Sequence, residues 1–467
     1  MHDHVIVGAG TAGCVLAARL SADPARSVLL LEAGPDFTTD RLPATLRTGT
    51  AEEYAWDRRA RVCGDRVEFL SRGKVIGGSA QINGRGAFRA PLRDFAAIGL
   101  PEWSPEHVLE SYRRIETDLD FSEEAHHGAH GPVPITRWRS TELTAANAAF
   151  LETVLATGTE YQADMNHPRA RGIGPYPQNR AGRERRSSAD TYLAGARDRP
   201  NLTVRGDATV DRVLLRGDRA TGVLIGTETI TARQVVLCAG SPGSPELLRR
   251  SGIGHPGIGA RIYDQPGAVV PALPHEPPPD WPGTQLVARL GAIPGYAEDD
   301  AFYLCLHPGP PPGGGDPLLA IMIGDMRPRS RGRLTTEGLD LGFYREETDL
   351  ARMRAAYRYA WELTRRPPLS RHIKGIAMLT EEDIAEDERL DAVLRAMTFS
   401  RLTLLGGAAM GLANDPDAVV DAHGAVYGVN GLRVCDLSVI PIPLCGTTAL
   451  EAMLVAERMA DWIAAEI

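Results

Sequence analysis

Residues 6–34, IVGAGTAGCVLAARLSADPARSVLLLEAG, constrain the fold more than any other part of the chain. An apolar strand runs into Gly8, Gly10 and Gly13, a helical segment follows, and a second apolar strand ends at Glu32. The change from strand to helix to strand within about thirty residues is typical of a βαβ unit. This segment therefore predicts an α/β fold that begins with two parallel strands.

The glycine spacing indicates a nucleotide ligand. Gly8 allows the tight turn after the strand, Gly10 lets the backbone approach a pyrophosphate, and Gly13 lets the helix pack closely on the sheet. The helix N-terminus at Thr11 and Ala12 offers free N–H groups to the phosphates. We expect these residues to bind the ADP half of a cofactor.

Glu32 and the following Ala33 refine that prediction. A carboxylate 19 residues after Gly13 can accept hydrogen bonds from both ribose hydroxyls, and its charge repels a 2′-phosphate. The unit therefore favours FAD or NAD over NADP.

Composition excludes several other classes of protein. The 467 residues are 43% hydrophobic, enough for the core of two or three domains. The net charge of −9 is spread without a run of five like charges, so we expect neither nucleic acid nor an anionic membrane as a partner. The first strand begins almost at Met1, and no apolar run reaches the roughly 18 residues of a membrane span. We therefore expect a cytoplasmic protein.

The six cysteines are scattered, without a CxxC pair or a Cys/His cluster. This distribution predicts no disulfide framework and no metal site.

A second glycine-rich segment, 71–89, is suited to close backbone approach to a flat or charged ligand. Alternation at 201–240 predicts strands that end in a buried parallel strand. The proline- and glycine-rich residues 271–317 predict long ordered loops or a lid rather than regular structure. We expect helices over 105–118, 142–157, 348–366 and 380–397, and an amphipathic helix within 445–465.

Four blocks in this order resemble the glucose-methanol-choline (GMC) family of FAD-dependent oxidoreductases: the opening glycine fingerprint, residues 73–83, residues 240–254, and residues 419–421 with 431–441. The resemblance implies a Rossmann-like FAD-binding domain of the glutathione-reductase type, interleaved with an α+β substrate domain built on an antiparallel sheet. The implied FAD-binding domain comprises 1–90, 181–265 and 405–467, and the substrate domain comprises 91–180 and 266–404.

The resemblance also assigns cofactor contacts. It places FAD in an extended conformation, with the isoalloxazine ring between the 77–83 loop and the C-terminal segment. Histidine-linked FAD is excluded, because Ile82 stands at the position that some members use for attachment. Beyond the first βαβ unit, the implied contacts of this non-covalent FAD are Gly78, Ser79, Asn83, Val210, Asp436, Leu437 and Thr448.

The sequence departs from the family at the residues that normally remove the substrate proton. Thr403 stands where the family has a histidine, and residues 444–450 contain neither the second histidine nor asparagine. We expect Thr403, Cys445 and Thr447 to face a small-molecule substrate. A neutral threonine is no base near pH 7, so the family mechanism does not transfer directly.

Three interpretations stay open. In the first, an alcohol-like small metabolite is oxidised by hydride transfer to flavin N5. The base is then relocated to His372, Glu381, Glu382, a residue of the proline-rich loops or the Cys445 thiolate, or the substrate needs no strong base. In the second, FAD supports non-redox chemistry such as a lyase, dehydration or isomerisation step. In the third, the chain binds flavin without turnover.

Residues 94–121 and 131–135 look most like GMC proteins associated with the mycofactocin redox system. This subgroup makes a quinone-like or peptide carrier a candidate electron acceptor beside oxygen.

Overall fold

A computed structural model describes residues 1–49, 51–279, 281–294, 296, 302–310 and 315–466. Within these residues the α-helices are α1 Thr11–Leu20, α2 Ala44–Thr48, α3 Leu92–Ala96, α4 Pro105–Ile115, α5 Ala145–Leu155, α6 Gly243–Arg250, α7 Glu347–Arg365, α8 Glu381–Ala385, α9 Asp387–Met397 and α10 Ala449–Ala465. The strands of the first half are β1 His2–Val7, β2 Val28–Leu31, β3 Arg59–Cys63, β4 Arg66–Phe69, β5 Glu116–Asp118, β6 Val133–Ile135, β7 Gly172–Pro175, β8 Arg180–Ala181, β9 Glu184–Arg185, β10 Leu202–Arg205, β11 Arg212–Arg216, β12 Arg219–Ile225 and β13 Glu228–Leu237. Those of the second half are β14 Ile262–Tyr263, β15 Pro266–Pro274, β16 Leu286–Leu290, β17 Phe302–Gly309, β18 Leu318–Asp325, β19 Arg333–Thr335, β20 Gly338–Asp340, β21 Ile373–Ile376, β22 Phe399–Ser400, β23 Leu405–Gly406 and β24 Leu432–Val434.

The first large sheet has the order β10-β2-β1-β13-β12-β11, and β24 also pairs with β13. Strands β10, β2, β1, β13 and β24 are parallel, whereas β11, β12 and the start of β13 form an antiparallel meander. Strands β2 and β24 are buried throughout, and β1 and β13 end in buried apolar runs, because both of their faces are covered there. This sheet confirms the predicted Rossmann-like α/β fold, including the strands expected over 201–240.

Helix α10 packs against α1 and α4. The predicted helix is confirmed, but its amphipathic character is wrong, because residues 450–457 are all buried. The acidic groups among them are paired: Glu457 receives hydrogen bonds from Arg19 and Arg114, and Glu451 from the Tyr112 hydroxyl.

The second large sheet is antiparallel, with the order β21-β15-β18-β17-β16-β7 and with β22 beside β15. One face packs its aliphatic side chains on α5, α7 and α9. The other face carries Val287, Tyr303 and Cys305, which pack with Phe88 and Cys445. The predicted antiparallel sheet is therefore present, while the residue boundaries of the two domains stay a prediction.

Two local predictions are wrong. The segment 271–317 contains the end of β15 and the strands β16 and β17, because the short apolar runs VARL and FYLCL pair inside the sheet despite the prolines around them. Residues 280, 295, 297–301 and 311–314 of that segment lie outside the described residues. The helix expected over 380–397 is divided into α8 and α9 at Glu386, which has extended backbone angles. The helices expected over 105–118, 142–157 and 348–366 are confirmed.

The six cysteines are buried and unbridged. No helix in the described part of the chain has the length and apolar character needed to cross a bilayer.

Candidate functional site

A cavity of about 230 Å³ lies at the carboxyl ends of β1, β2 and β13. In open α/β sheets this edge is where ligands bind. Eleven of the predicted cofactor residues line the cavity: Gly8, Gly10, Thr11, Ala12, Glu32, Ala33, Gly78, Ser79, Val210, Asp436 and Leu437.

The two glycine-rich loops touch each other at this cavity. Gly8 has a φ of +103°, and a Cβ there would lie 2.6 Å from the Cys238 carbonyl oxygen. A Cβ on Gly78 would lie 2.6 Å from the Cα of Gly10. Only glycine at positions 8 and 78 therefore allows these close backbone contacts beside the cavity.

Three predicted cofactor residues do not line the cavity. Gly13 packs α1 against the first loop, because a Cβ there would lie 1.9 Å from the Gly8 oxygen. The Asn83 side chain accepts a hydrogen bond from the Arg85 N–H at 2.9 Å. Thr448 precedes α10 with a φ of +64°. Flavin contacts of Asn83 and Thr448 stay a prediction.

The Glu32 carboxylate is held by backbone N–H groups, and its contact with a ribose stays a prediction. Its two carboxylate oxygens accept hydrogen bonds from Ala9 N–H at 2.9 Å and Gly34 N–H at 3.0 Å. Burial raises the pKa of Glu32 to about 7 despite these donors. Ala33 N–H is a third backbone donor to this carboxylate, which keeps acceptor capacity for a ribose hydroxyl.

Asp436 joins the loops that follow β13 and β24. Its carboxylate accepts hydrogen bonds from Gly240 N–H and Ser438 N–H, both at 2.8 Å, and from the Ser244 hydroxyl. Burial raises the pKa of Asp436. These bonds fix the backbone that borders the phosphate end of the cavity.

Sequence reasoning missed Arg72, which also lines the cavity. Its guanidinium donates to the Leu402 carbonyl at 2.9 Å, and among the described residues no carboxylate oxygen lies within 4.0 Å of it. Arg72 could have been found from the sequence, because it directly precedes the 73–83 block that carries predicted cofactor contacts. Two touching glycine loops, a buried carboxylate and a partly buried cation together fit a dinucleotide with a pyrophosphate.

The fold and this cavity define a dinucleotide-binding α/β protein with a separate antiparallel substrate sheet. The chain belongs to the GMC oxidoreductases: the N-terminal family model matches residues 2–267 and the C-terminal model matches residues 328–456. Members of this family are FAD-dependent and act on CH–OH donors, so FAD is the cofactor of this chain.

Relatives and solved structures agree with this assignment. An oxygen-dependent choline dehydrogenase of Burkholderia thailandensis is 33% identical over 99% of this chain and 93% of its own length. An uncharacterised GMC-type oxidoreductase of Rhodococcus erythropolis is 32% identical, with 98% and 97% covered. The crystal structure of pyridoxine 4-oxidase from Mesorbium loti matches all of both chains with a TM-score of 0.89 at 26% identity. A formate oxidase structure has a TM-score of 0.86 at 22% identity, covers 100% of this chain and 98% of its own, and shows the fold alone.

Thr403 lies against a buried carboxylate that sequence reasoning also missed. Its hydroxyl donates to Asp264 Oδ1 at 2.8 Å, and its N–H donates to the same oxygen at 2.8 Å. The Ser400 hydroxyl donates to the other oxygen. Burial raises the pKa of Asp264, although these hydrogen bonds oppose the shift.

Gln265 brings the predicted substrate residues together. Its N–H lies 3.3 Å from the Thr403 hydroxyl oxygen, and its side-chain amide donates to the carbonyls of Leu444 at 2.7 Å and Gly446 at 3.2 Å. In the same C-terminal loop, Thr447 accepts a hydrogen bond from Phe88 N–H at 3.1 Å. The loops of Thr403 and Thr447 thus meet at Gln265, which contacts the first through its backbone N–H and the second through its side-chain amide.

Cys445 lies in the same loop, where burial disfavours its thiolate form. The side chain is fully buried, and burial raises its pKa to about 12. Arg327 Nε lies 3.1 Å from the sulfur. Burial thus opposes formation of the thiolate, and a chemical role for Cys445 stays a prediction.

The relocated bases suggested by the sequence lie elsewhere. Glu381 and Glu382 project from α8 with side chains 74% exposed, and they pair with Arg365 and Arg389. His372 ends a short turn before the edge strand β21. None of the three has a described hydrogen bond or ion pair to Thr403 or Gln265, so this hypothesis is not supported by the geometry.

A buried ionic network lies next to the Phe88 segment and has ligand types that also bind metals. Two groups in the described residues have suitable spacing, His126/His127/Asp164 and Glu116/Asp118/His127. Their three carboxylates are already paired with Arg89 and Arg137. Burial disfavours the charged imidazole of His127, but hydrogen bonds with Asp164 and Glu116 raise its pKa. The absence of a metal stays a prediction.

Proposed function

We propose that this protein oxidises an alcohol-like small metabolite by hydride transfer to the N5 of non-covalent FAD. The observation that carries the proposal is the contact between the two glycine loops beside Glu32, which builds a dinucleotide cavity. Arg72 lines this cavity and donates to the carbonyl of Leu402, the residue before Thr403. The names of the choline and pyridoxine enzymes support an alcohol as the substrate class. Bound FAD supplies the hydride acceptor, and the chain must supply the proton acceptor.

We assign the role of proton acceptor to Asp264, which acts through the Thr403 hydroxyl. The substrate hydroxyl proton passes to Thr403 Oγ1 while the Thr403 proton passes to Asp264 Oδ1, along the hydrogen bond of 2.8 Å between the two oxygens. No alkoxide of threonine accumulates, since both transfers occur together and the net acceptor is a carboxylate. Burial makes Asp264 a stronger base than an exposed aspartate, which suits it to proton abstraction near neutral pH.

Anaerobic addition of alcohols to the holoprotein tests the proposal. Loss of the flavin absorbance band on adding an alcohol, with formation of the corresponding carbonyl compound, is the expected result. Product without loss of the band would instead support lyase, dehydration or isomerase chemistry. A stable flavin with no turnover of any alcohol would contradict an enzymatic role and favour a flavin-binding protein.

A further step of this experiment, reoxidation of the reduced flavin, identifies the electron acceptor. Oxygen, quinones and a peptide carrier are each added to the reduced protein, and the rate at which the band returns identifies the acceptor.

A further inference from the structure

The face of the second sheet that carries Tyr303 has a cross-strand row of four residues. Gly267 pairs with Gly324, Gly324 with Tyr303, and Tyr303 with Arg289 across strands β15, β18, β17 and β16. Directly paired residues point to the same side of a sheet. Since Tyr303 packs in the cluster that contains Phe88 and Cys445, this row faces the C-terminal loop of the site.

Arg401 crosses this face over the two glycines. A Cβ on Gly267 would lie 2.8 Å from the Cγ of Arg401, and a Cβ on Gly324 would lie 2.6 Å from its Cδ and 2.8 Å from its Nη1. The guanidinium then stacks 3.8 Å from the centroid of the Tyr303 ring and donates to the Gln265 side-chain oxygen. The missing side chains at Gly267 and Gly324 therefore create the path that Arg401 occupies.

The charge of Arg401 has no acidic partner among the described residues. No carboxylate oxygen lies within 4.0 Å of its guanidinium, and its contacts are an amide oxygen and an aromatic face. Arg401 is also only two residues before Thr403, and both contact Gln265. A cation is thus held against the same residue that contacts the Thr403 hydroxyl.

Arg289 provides a second cation on the same face, and this one is buried. It is 3% exposed and stacks 4.1 Å from the Phe88 ring centroid. Its shortest hydrogen bonds go to the carbonyls of Arg89 at 2.7 Å and Cys445 at 3.1 Å, and its Nε has no hydrogen-bond partner.

The acidic groups nearest to Arg289 are already engaged. Asp94 accepts hydrogen bonds from Arg327 and from Cys445 N–H, both at 2.7 Å. Glu451 accepts hydrogen bonds from Ala90 N–H at 2.7 Å and the Tyr112 hydroxyl at 2.9 Å. Burying the Arg289 guanidinium on the same face as the partly buried Arg401, with no carboxylate in contact with either, is unfavourable unless a bound anion compensates for the lost hydration.

We infer that Arg401, supported by Arg289, binds an anionic group of the substrate, so that the substrate class is an alcohol that also carries a carboxylate or a phosphate. The inference rests on the proposed function, because it treats the Thr403 region as the substrate site. An arginine fork matches the oxygens of either anion, and its stacking on Tyr303 orients the fork.

Binding of small anions to the holoprotein tests the inference without requiring turnover. The flavin absorbance spectrum is titrated with acetate, benzoate and phenyl phosphate, and with the neutral analogues acetamide and benzamide. We expect at least one anion to perturb the spectrum with a dissociation constant about 10- to 100-fold lower than that of its neutral analogue. Preference for phenyl phosphate over benzoate would identify a phosphate as the anionic group, and the reverse preference a carboxylate.

Two variants connect the preference to Arg401. Arg401→Gln removes the charge, whereas Gly324→Ala keeps the charge but displaces the guanidinium, since the added methyl meets the mobile end of the Arg401 side chain. Both should abolish the preference for anions. The matched controls are Gly375→Ala, with no atom within 4 Å of the added Cβ, and Arg389→Gln, a surface arginine 48% exposed.

The outcomes separate this inference from the proposed function. Equal binding of anions and neutral analogues in the wild-type protein, or a preference retained in both Arg401→Gln and Gly324→Ala, would overturn the anion site. If neutral alcohols also reduce the flavin, the oxidoreductase proposal survives that failure. If anions bind through Arg401 but no hydroxy acid or phosphorylated alcohol reduces the flavin, the anion site stands and the oxidoreductase proposal fails.

Discussion

The Glu32 carboxyl should make FAD binding depend on pH in a defined direction. Glu32 is 6% exposed, and burial raises its pKa from 4.5 to about 7 in the protein without cofactor. Ribose hydroxyls donate hydrogen bonds to the ionised carboxylate, so FAD binding favours the form without the proton. FAD affinity should therefore rise as the pH rises through 7.

The magnitude follows from proton linkage. If only the ionised form binds, the dissociation constant is multiplied by 1 + 10^(pKa − pH), which is about 11 at pH 6 and about 1.1 at pH 8 with a pKa of about 7. The dissociation constant should then rise roughly tenfold from pH 8 to pH 6. The stability of the apoprotein should change in the opposite sense, because a raised carboxyl pKa contributes stability below pH 4.5 that is lost as the pH rises through 7.

Fluorescence titration of the apoprotein with FAD between pH 6 and pH 8 measures this dependence. Glu32→Gln should bind FAD more weakly and show a flat profile, whereas Glu228→Gln, at a side chain 50% exposed, should behave like the wild type. A flat wild-type profile, or a Glu32→Gln profile that still rises tenfold, would refute the assignment of the pH dependence to Glu32.

Two further substitutions test the backbone and the thiol of the site. Gly8→Ala should lower the free energy of unfolding, measured by urea titration, by about 3 kcal/mol, because the added Cβ meets the Cys238 carbonyl at a φ of +103°. The control Gly64→Ala also has a positive φ but open space around the Cβ, and it should lower the free energy of unfolding by only about 1–2 kcal/mol. Equal losses would contradict the steric argument. Because burial raises the pKa of Cys445 to about 12, Cys445→Ser should retain most of the flavin reduction rate. For the same reason the thiol should resist iodoacetamide at pH 8 in the folded protein. Rapid alkylation with loss of activity would show that Cys445 is a reactive group of the site.

The cofactor half of the site could be predicted because its requirements are local. Gly8, Gly10 and Gly78 are needed for backbone conformation or close approach, and such needs are encoded at fixed spacing. Glu32 follows the same rule, since it ends the second strand of one βαβ unit. The first sheet was predictable for the same reason, because buried parallel strands are continuous apolar runs.

The substrate half could not be predicted because its residues come together through strand pairing. Pro266 of β15 pairs with Ser400 of β22, and this single register brings Asp264 and Gln265 next to Thr403. No local pattern joins positions separated by 138 residues. Arg401 was missed for a related reason, because its place depends on the paired glycines of β15 and β18.

The proposed mechanism is tested most directly by the rate of anaerobic flavin reduction by a substrate alcohol. This rate is measured by stopped flow across pH in the wild type and in the variants Thr403→Val and Asp264→Asn. Because Asp264 must be ionised to accept the proton, the wild-type rate should fall at acidic pH, below the raised pKa of this group. Thr403→Val keeps the side-chain shape and removes the hydroxyl, and both variants should slow reduction by about 100-fold or more and lose that pH dependence. The surface variant Thr229→Val should match the wild type. Reduction at the wild-type rate in both Thr403→Val and Asp264→Asn would contradict the mechanism.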